Sequence, residues 1–470
     1  MTPSHRLALL GVALAAGSPP PAVAQSQSVT AITGATLWDG TGAAPVPDAV
    51  VIVQGSRIAC AGARSQCATP AGATQVDGRG RFLLPGLIDT HVHLLFRTNG
   101  VTDTSIKADL HDLLARGVTT VRDMGNNPAH LLEAVDSAAP APRVFAMQLV
   151  AGVHFFSPEI ERSPDGNVHS HAPASIGMKQ LGWWPILFTP STDAESIIRQ
   201  AREGGAIGLK LYQDLDSAQV GTLVRAAHAV GMTVWGHGWV QPASVLEQSR
   251  AGQDGVVHAA GLAGELVAHE DRDTLRTSSD LLQLTADSAT AKTAQRPQVL
   301  TALDSLAAHG TFFEPTLRAE ELGAERAKTS RRRIPALPSR YALAASVFGM
   351  EVTRQAAARG VRMTAGTDHV AYGPVEERAQ LSEELQLFVD SIGLSPSRAL
   401  LAATRDAALA IGPAAKDIGT VTAGKLADLV LFSADPLTDI ANLDQVEWVM
   451  HLGQIYKPET LRALSGAPAP

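Results

Sequence analysis

The chain carries, at residues 84–93, the sequence Leu84-Pro85-Gly86-Leu87-Ile88-Asp89-Thr90-His91-Val92-His93. This short apolar run predicts a buried strand with two histidines at its end. Residues two apart on a strand point to the same side, so both imidazoles can face one edge of a sheet. Neutral imidazoles suit Zn²⁺ or a similar metal. The spacing alone is a weak signal, since His169-Ser170-His171 repeats it in an apparent loop, but the position after a buried strand makes His91 and His93 candidates.

Further apolar runs follow in the middle of the chain, with helical stretches between them. The predicted strands are Leu83–Ile88, Thr119–Val121, Val144–Met147, Ile207–Leu211, Thr233–Trp235, Gly255–His258, Thr311–Phe313 and Arg362–Ala365. Apolar residues at helical spacing predict helices over Asp109–Ala115, Asp193–Glu203, Ala218–Val230 and Ser397–Ile411. Eight strand–helix units in one chain predict an α/β fold, a (β/α)₈ TIM barrel, over residues 83–412.

Both ends of the chain have a different pattern, with short apolar runs broken by glycine and other turn residues. Examples are Ala49–Val53, Arg57–Cys60, Ala427–Phe432 and Trp448–Leu452. Two β-rich ends that flank one long middle predict a small composite β-sandwich, built from residues 25–82 together with 413–457. An Ala/Pro-rich C-terminal tail, 458–470, follows it.

Composition and charge exclude some classes of function. The 470 residues are 45% apolar and 18% charged, which indicates a globular fold with a sizeable core. A formal net charge of −8 argues against sequence-independent binding of nucleic acid, which needs clustered lysines and arginines. The run Arg331–Arg333 is basic but short, and we interpret it as a solvated loop or helix end.

Residues 1–24 have the pattern of a signal peptide. Arg6 precedes the apolar run Leu7–Gly17, which is too short to span a bilayer, and Ala22-Val23-Ala24 is a small-x-small cleavage site. A buried N-terminal helix is the alternative, but the amphipathic period is missing. No cysteine follows the run to carry a lipid, and no later stretch is a candidate membrane helix, so we expect no stable membrane anchor. We expect a periplasmic or secreted protein.

Export also bears on Cys60 and Cys67, the two cysteines of the chain. An oxidising compartment permits a disulfide, and their short spacing could close a hairpin. The alternative is two unpaired small residues, because spacing alone does not fix the Cα separation. We favour the bridge.

Lys210 is a candidate because it lies in an almost wholly apolar strand. Lysine is seldom fully buried without a partner. It could snorkel or pair with an acid such as Asp214. Alternatively, burial and nearby metal charge could lower its pKa, so that the neutral amine takes up CO₂ and the carbamate bridges two cations. The strand alone favours neither interpretation.

Other strand ends supply three more candidates, and in barrels the active site lies at the C-terminal ends of the strands. His237 and His258 end the fifth and sixth predicted strands, and Asp368 ends the eighth. Alone, each histidine would be a core or hydrogen-bonding residue, and the aspartate a helix N-cap or loop carboxylate. Together with the earlier candidates they place metal-ligand types at five strand ends around one rim, which predicts a metal centre. We interpret Arg122 and Asp123, at the end of the second strand, as a structural pair.

The chain resembles the amidohydrolase superfamily, in its imidazolonepropionase-like and Xaa-Pro-dipeptidase-like branch. Four motifs carry the resemblance: residues 84–93, Lys210-Leu211-Tyr212, Gly366-Thr367-Asp368 and Gly419–Val430. The likeness covers nearly all of the mature chain. It implies a metal-dependent hydrolase that acts on carbon–nitrogen bonds, on a barrel with a composite β-sandwich.

The resemblance also implies the roles of the site residues. It implies two divalent ions, with Zn²⁺ expected: His91, His93 and Asp368 would hold one, His237 and His258 the other, and carboxylated Lys210 would bridge them. Tyr212 would contact the substrate carbonyl, and His154 a substrate carboxylate. A hydroxide that bridges the ions would attack the carbonyl, and Asp368 would pass the proton from the attacking water to the leaving amine.

We expect a small-molecule substrate, but the motifs do not identify it as closely as they identify the metal centre. The long stretch His154–Pro190 carries Phe155, Phe156, Trp183 and Trp184, either as a cover over the site or as a packed surface or oligomer contact. A cover of this kind favours an apolar or aromatic substrate, such as a dipeptide-like molecule or an N-acyl amino acid. A cyclic-amide, lactone or ester hydrolase is the alternative enzyme, and an exported non-catalytic metal or ligand binder is the alternative class. The sequence leaves open whether the protein forms a homo-oligomer.

Overall fold

The structure is a computed structural model that describes residues 28–95, 103–136, 138–152, 185–274, 284, 293–329, 339–370 and 378–465. Its strands, numbered in chain order, form two sheets. The described helices include none that is both long and apolar enough to cross a membrane.

The first sheet has eight strands, which come from both ends of the described chain. Its strands are β1 (Val29–Leu37), β2 (Val46–Gln54), β3 (Arg57–Ala63), β4 (Thr74–Asp77), β5 (Phe82–Pro85), β15 (Leu429–Phe432), β16 (Val446–His451) and β17 (Gln454–Tyr456). The order is β17-β16-β15-β5-β1-β2-β3, with β4 beside β1. The antiparallel pair β5–β15 joins the two ends of the chain, with Leu429 opposite Pro85 and Phe432 opposite Phe82.

A disulfide closes the edge of this sheet. Cys60 in β3 is bonded to Cys67, and their Cα atoms are 5.8 Å apart. Cys67 packs in a small apolar cluster with Ala31, Val50 and Ile52. The predicted disulfide is therefore confirmed.

The second sheet has nine strands and lies in the middle of the chain. Its strands are β6 (Leu87–His93), β7 (Val118–Asp123), β8 (Arg143–Ala151), β9 (Ile186–Leu187), β10 (Gly208–Leu211), β11 (Thr233–His237), β12 (Gly255–Val257), β13 (Phe312–Glu314) and β14 (His369–Val370). The order is β13-β12-β11-β10-β8-β7-β6-β14, with β9 beside β8, and the neighbours pair in parallel. Their carboxyl ends therefore share one edge.

Residues 362–365, predicted as the eighth strand, connect the two ends of this sheet. On one side, Phe313 N donates to Arg362 O at 2.8 Å and Thr364 N donates to Phe313 O at 3.1 Å. On the other side, Thr90 N donates to Ala365 O at 3.1 Å. The stretch makes a single ladder bridge, Phe313–Met363, and the regular pairing with β6 falls later, at β14. The sheet is thus a curled parallel sheet whose outer strands lie close together.

The chain passes from one sheet to the other at Gly86. The sequence predicts one strand across this residue, but β5 ends at Pro85 and β6 begins at Leu87. Gly86 N donates at 2.8 Å to the O of Asp428, the residue before β15 of the first sheet, and Leu87 N donates at 2.9 Å to the O of Gly117, the residue before β7 of the second. A Cβ on Gly86 would lie 2.1 Å from Thr119 Oγ1, so a side chain does not fit. The predicted boundary between residues 82 and 83 therefore lies before the observed crossing, and the other domain boundaries stay predictions.

The helices lie between the strands of the second sheet and after them. They are α1 (Asp103–Ala115), α2 (Pro128–Asp136), α3 (Ala194–Glu203), α4 (Ser217–His228), α5 (Val245–Arg250), α6 (Pro297–His309), α7 (Leu317–Thr329), α8 (Ser339–Ala358), α9 (Leu381–Asp390), α10 (Pro396–Ala402), α11 (Arg405–Ile411) and α12 (Pro458–Ser465). Short 3₁₀ helices cover Ala259–Leu266, His269–Thr274, Thr293–Gln295, Pro413–Ala415 and Ile440–Asp444.

Local sequence explains where some of these helices begin and which face they bury. The Asp193 side chain accepts from the backbone N–H groups of Glu195 and Ser196 and caps α3. Leu110 and Leu114 are fully buried and lie four residues apart on one face of α1. The single helix predicted over 397–411 is wrong: α10 and α11 are separate, because Thr404 has a non-helical backbone (φ −138°, ψ −97°).

Candidate metal centre

The strand-end histidines form one continuous cluster at the carboxyl edge of the second sheet. His91 and His93 end β6, His237 ends β11, and His258 follows β12. Ring centroids are 5.3 Å apart for His91 and His93 and 4.9 Å for His91 and His258. The His237 and His258 centroids are 4.5 Å apart. The parallel sheet thus brings together imidazoles that are up to 167 positions apart in the sequence, from 91 to 258.

Asp368 lies against the first of these histidines. Its Oδ1 is 3.4 Å from His91 Nε2 and 3.2 Å from His93 Nε2. Burial would raise the pKa of Asp368, but the nearby imidazoles of His91 and His93 outweigh it and hold that pKa below its usual value. Asp368 has a left-handed backbone, with φ +52°. A strained residue of this kind is typical of functional sites.

Three side chains have the geometry to hold a metal ion. One ligand atom from each of His91, His258 and Asp368 lies within 4.8 Å of the other two. Burial lowers the pKa values of both His91 and His258 well below their usual range, which favours the neutral imidazole that ligates metals. The sequence prediction assigned His258 to the other ion, together with His237. The structure brings His258 close to His91 and Asp368 as well.

Lys210 lies in β10 and is buried, with only 2% of its surface exposed. Its Nζ has no hydrogen-bond partner among the described residues. Burial lowers the pKa of Lys210 to about 7, against the raising effect of Glu314 and Asp368. Lys210 Nζ therefore makes no hydrogen bond to Asp214, the acid that the sequence offered as its partner. A buried nitrogen without a partner is unfavourable and fits a position where another group completes its bonding.

Tyr212 and His237 lie side by side at the rim. Their ring centroids are 5.0 Å apart and the planes are nearly perpendicular. Burial raises the pKa of Tyr212, so the phenol keeps its proton and can act as a hydrogen-bond donor. The backbone N–H of Trp239 donates to His237 Nδ1 at 3.2 Å. His154, the predicted carboxylate contact, and most of the stretch 154–190 lie outside the described residues.

Glu314, at the end of β13, is a site residue that the sequence reasoning missed. It is fully buried, and its Oε1 is 2.8 Å from His91 Nδ1. Its Oε2 accepts from Arg122 Nη2 and from Thr364 Oγ1, both at 3.0 Å, and also contacts Thr90 Oγ1. The signal was available, since Glu314 follows the predicted seventh strand at the edge where chemistry is expected.

Asp89 was missed as well, although it lies inside the opening motif. It is fully buried and accepts from Thr367 Oγ1 at 2.7 Å and from Thr367 N at 3.1 Å. Burial raises its pKa to about 7. Asp89 therefore ties the residue before Asp368 to β6. Gly366 permits this close approach, because a Cβ there would lie 2.6 Å from the Cβ of His91.

The interpretation of Arg122 and Asp123 as a pair is wrong. Neighbouring residues on a strand point to opposite sides. Arg122 points towards Glu314 and stacks on Trp235, with its guanidinium carbon 3.7 Å from the ring centroid. Asp123 accepts from the backbone N–H of Leu94 at 2.8 Å and so fixes the turn after β6.

The carboxyl edge of a curled parallel sheet thus carries neutral imidazoles, a carboxylate and a buried lysine, which defines the class of a metal-dependent enzyme. The sequence pattern of the Amidohydrolase family matches residues 82–455, and the chain belongs to that family. This membership confirms the predicted superfamily and the predicted hydrolase class. Enzymes of this family generally use a divalent metal and act on small molecules.

Individual proteins of known name or structure share only low sequence identity with this chain. Imidazolonepropionase of Mycolicibacterium smegmatis is 28% identical over 152 residues, which cover 26% of this chain and 38% of that protein. The match thus spans less than half of the length of that relative. A solved Xaa-Pro dipeptidase with bound methionine is 22% identical, with a TM-score of 0.66 over 92% of this chain and 100% of that one. A solved molinate hydrolase is 19% identical, with a TM-score of 0.70 over 95% of this chain and 98% of that one. At these identities the two structures show a shared fold.

Proposed function

We propose that the protein is an exported, dinuclear metal-dependent amidohydrolase that cleaves an amide bond in a dipeptide-like or N-acyl amino acid substrate. The convergence of His91, His258 and Asp368 within 4.8 Å, beside a buried Lys210 Nζ without a partner, carries the proposal. Family membership supports hydrolysis of a carbon–nitrogen bond. The fold shared with a Xaa-Pro dipeptidase favours a dipeptide-like substrate.

The shape of the second sheet bears on the proposed function, because closed barrels of parallel strands carry their active sites at the carboxyl ends of the strands. We infer a (β/α)₈ barrel, because residues 362–365 bond to both β13 and β6. We also infer that the first sheet forms the composite β-sandwich, because β5 and β15 join the two ends of the chain. An active site at the carboxyl ends of barrel strands is the rule for this architecture.

We propose that the donor set holds two divalent ions and that both are Zn²⁺. His91, His93 and Asp368 would hold one ion, His237 and His258 the other, and Lys210 would bridge them as a carbamate. The neutral amine of Lys210 would add to the carbon of CO₂ and lose one proton. A single ion held by His91, His258 and Asp368 is the competing arrangement, since their ligand atoms already lie within 4.8 Å of one another.

Bound divalent ions would lower the pKa of water at the site and polarise the substrate carbonyl. Asp368, whose Oδ1 lies 3.4 Å from His91 Nε2 and 3.2 Å from His93 Nε2, would take the proton from the attacking water and deliver it to the leaving amine. The Tyr212 hydroxyl, which burial keeps protonated, would donate to the carbonyl oxygen as negative charge develops there.

Lys210→Met separates the two-ion from the one-ion arrangement. We expect two zinc ions per chain in the wild type and at most one in the variant, measured by elemental analysis after dialysis. The variant should stay folded, because it removes a buried nitrogen without a partner and keeps an apolar side chain of similar length.

A second measurement tests the carbamate directly. With ¹³C-labelled bicarbonate, a carbamate carbon signal should appear in the wild type and be absent from Lys210→Met. Lys416→Met, at an exposed position, is the matched control. Two ions in Lys210→Met would exclude a bridging carbamate.

A screen of chromogenic amides and esters with the metal-loaded protein tests the reaction. Turnover of N-acyl amino acid or dipeptide amides supports the proposal. Turnover of cyclic amides, lactones or esters without linear amides would favour the alternative hydrolase. A protein that binds metal but turns over no carbonyl substrate would be a metal or ligand binder.

Export is a separate part of the proposal. The signal-peptide pattern lies outside the described residues, but the Cys60–Cys67 disulfide fits an oxidising compartment. Mass spectrometry of the protein from a secreting host should find Gln25 as the first residue of the mature chain. An unprocessed chain confined to the cytoplasm would contradict export to the periplasm or the medium.

A further inference from the structure

A segment of three residues, which begins with the last residue of β13, contacts two of the proposed ligand histidines at once. These residues, Glu314, Pro315 and Thr316, are called the 314–316 segment. His91 and His258 end different strands, yet the ring Nδ1 of each faces this segment. Neither Glu314 nor Thr316 belongs to the proposed ligand set.

Glu314 fixes the protonation pattern of His91. The partners of its Oε2, Arg122 and Thr364, are donors, so this oxygen has the contacts of a carboxylate anion. Burial raises the pKa of Glu314, and the Arg122 guanidinium counteracts that rise. As a carboxylate, Glu314 can only accept through Oε1, so the hydrogen between Oε1 and His91 Nδ1, 2.8 Å apart, then belongs to Nδ1. A neutral imidazole protonated on Nδ1 has its lone pair on Nε2. That Nε2 is the atom that lies 3.4 Å from Asp368.

Thr316 contacts the corresponding nitrogen of His258 and holds the orientation of that ring; its hydroxyl can donate or accept. Its Oγ1 is 2.8 Å from His258 Nδ1. The backbone adds two bonds, from His258 N to Glu314 O at 2.9 Å and from Ala259 N to Pro315 O at 3.1 Å. His258 and Thr316 both have left-handed backbones, with φ +66° and +53°. Such strain in non-glycine residues persists where the surroundings hold it, and it is common at functional sites.

A buried carboxylate anchors the segment from the other side. Glu384 in α9 accepts from Leu317 N at 3.0 Å and from Arg318 N at 2.7 Å, and so caps the start of α7. Carboxylates are favourable at helix N-termini, where backbone N–H groups lack partners. The 314–316 segment is therefore fixed at its strand end and at its helix end.

We propose that the 314–316 segment is a positioning element that holds His91 and His258 by their Nδ1 atoms, so that the Nε2 atoms of both face the metal centre, and that Glu314 also sets the tautomer of His91. The proposal deepens the proposed function and rests on it for the identity of the ligands. It assigns Glu314 and Thr316 as positioning residues, which act through the histidines. Partners of this kind change metal affinity by about 10- to 100-fold when they are removed.

Thr316 offers the sharper test, because valine keeps its β-branched shape and serine keeps its hydroxyl. In Thr316→Val we expect the Kd for Zn²⁺, measured by chelator competition, to rise by about 10-fold or more, and in Thr316→Ser to stay near the wild-type value. Thr353→Val is the matched control, since Thr353 is fully buried and its hydroxyl donates within α8 to Gly349 O at 2.7 Å. An effect equal to that of Thr353→Val would overturn the role of Thr316.

The tautomers give a readout that needs neither metal nor turnover. In metal-free wild type, ¹⁵N NMR of the imidazoles should show the proton of His91 on Nδ1. Glu314→Gln should disturb the His91 signals and Thr316→Val the His258 signals. If the wild type binds no zinc, the proposed function fails, while the tautomers still decide the positioning proposal. Unchanged His91 and His258 signals in the two variants, or a proton on Nε2 of His91 in the wild type, would overturn it.

Discussion

Asp368→Asn should keep most of the metal and lose kcat by about 10²- to 10⁴-fold, the usual contribution of a general acid–base group. Asparagine has the same shape as aspartate and keeps one oxygen that can ligate. It also tolerates the left-handed backbone observed at this position, φ +52°. Its amide cannot take the proton of the attacking water, so the proton relay is lost while the site geometry is kept. The measurements are kcat on an amide substrate and metal content per chain.

The control for this variant removes a carboxylate elsewhere. Asp193→Asn replaces the N-cap of α3 by a residue that caps equally well, so activity and stability should stay close to wild type. Wild-type turnover in metal-replete Asp368→Asn would show that Asp368 is a ligand without a catalytic role. Loss of turnover in proportion to loss of metal would lead to the same conclusion.

Arg122→Met should lower the free energy of unfolding by about 3–5 kcal/mol, the usual cost of removing one partner from a buried ion pair. Arg122 and Glu314 are both fully buried, with Nη2 and Oε2 3.0 Å apart. Arg122 Nε also donates to Thr90 O at 2.8 Å, and the guanidinium stacks on Trp235. Without the arginine, the Glu314 carboxylate would stay buried without the cation that now pairs with it. Denaturant unfolding of the metal-free protein measures the effect.

Arg64→Met is the comparison, because the side chains of the Arg64–Asp48 pair are 56% and 64% exposed. Solvent screens exposed pairs so that they contribute little to stability, and this variant should therefore be nearly neutral. The double variant Arg122→Met with Glu314→Gln should be less destabilised than Arg122→Met alone, since the uncompensated charge is gone. If Arg122→Met costs no more than Arg64→Met, the buried pair does not stabilise the fold.

Much of the candidate site followed from the sequence because strand ends are local features. His91 and His93 stand at the end of an apolar run, and the parallel arrangement then places His237 and His258 at the same edge. The contacts among the four histidine rings follow from this arrangement, in which parallel strands end at one edge of the sheet. The arrangement gives the edge of the sheet, but it gives neither distances nor the grouping of ligands around each ion.

The residues that support the metal-ligand histidines could not be predicted from strand ends. Glu314 and Arg122 are 192 positions apart, and their pairing depends on how the sheet curls. Hydrogen-bond partners are set by side-chain direction across several strands, while periodicity reports only which face of one strand is buried. For the same reason, the sequence suggested a pair between Arg122 and its neighbour Asp123.

The opening stretch 84–93 shows the division between sequence and tertiary structure. Its sequence alone determined a buried strand with two histidines on one side, because apolar patterning and the two-residue period of a strand are local properties. Only the tertiary structure decided that Gly86 is the crossing between two sheets, since the contact that excludes a side chain comes from Thr119. Only the tertiary structure decided that Glu314 orients His91 and that Asp368 faces it, because these contacts form where distant strands meet.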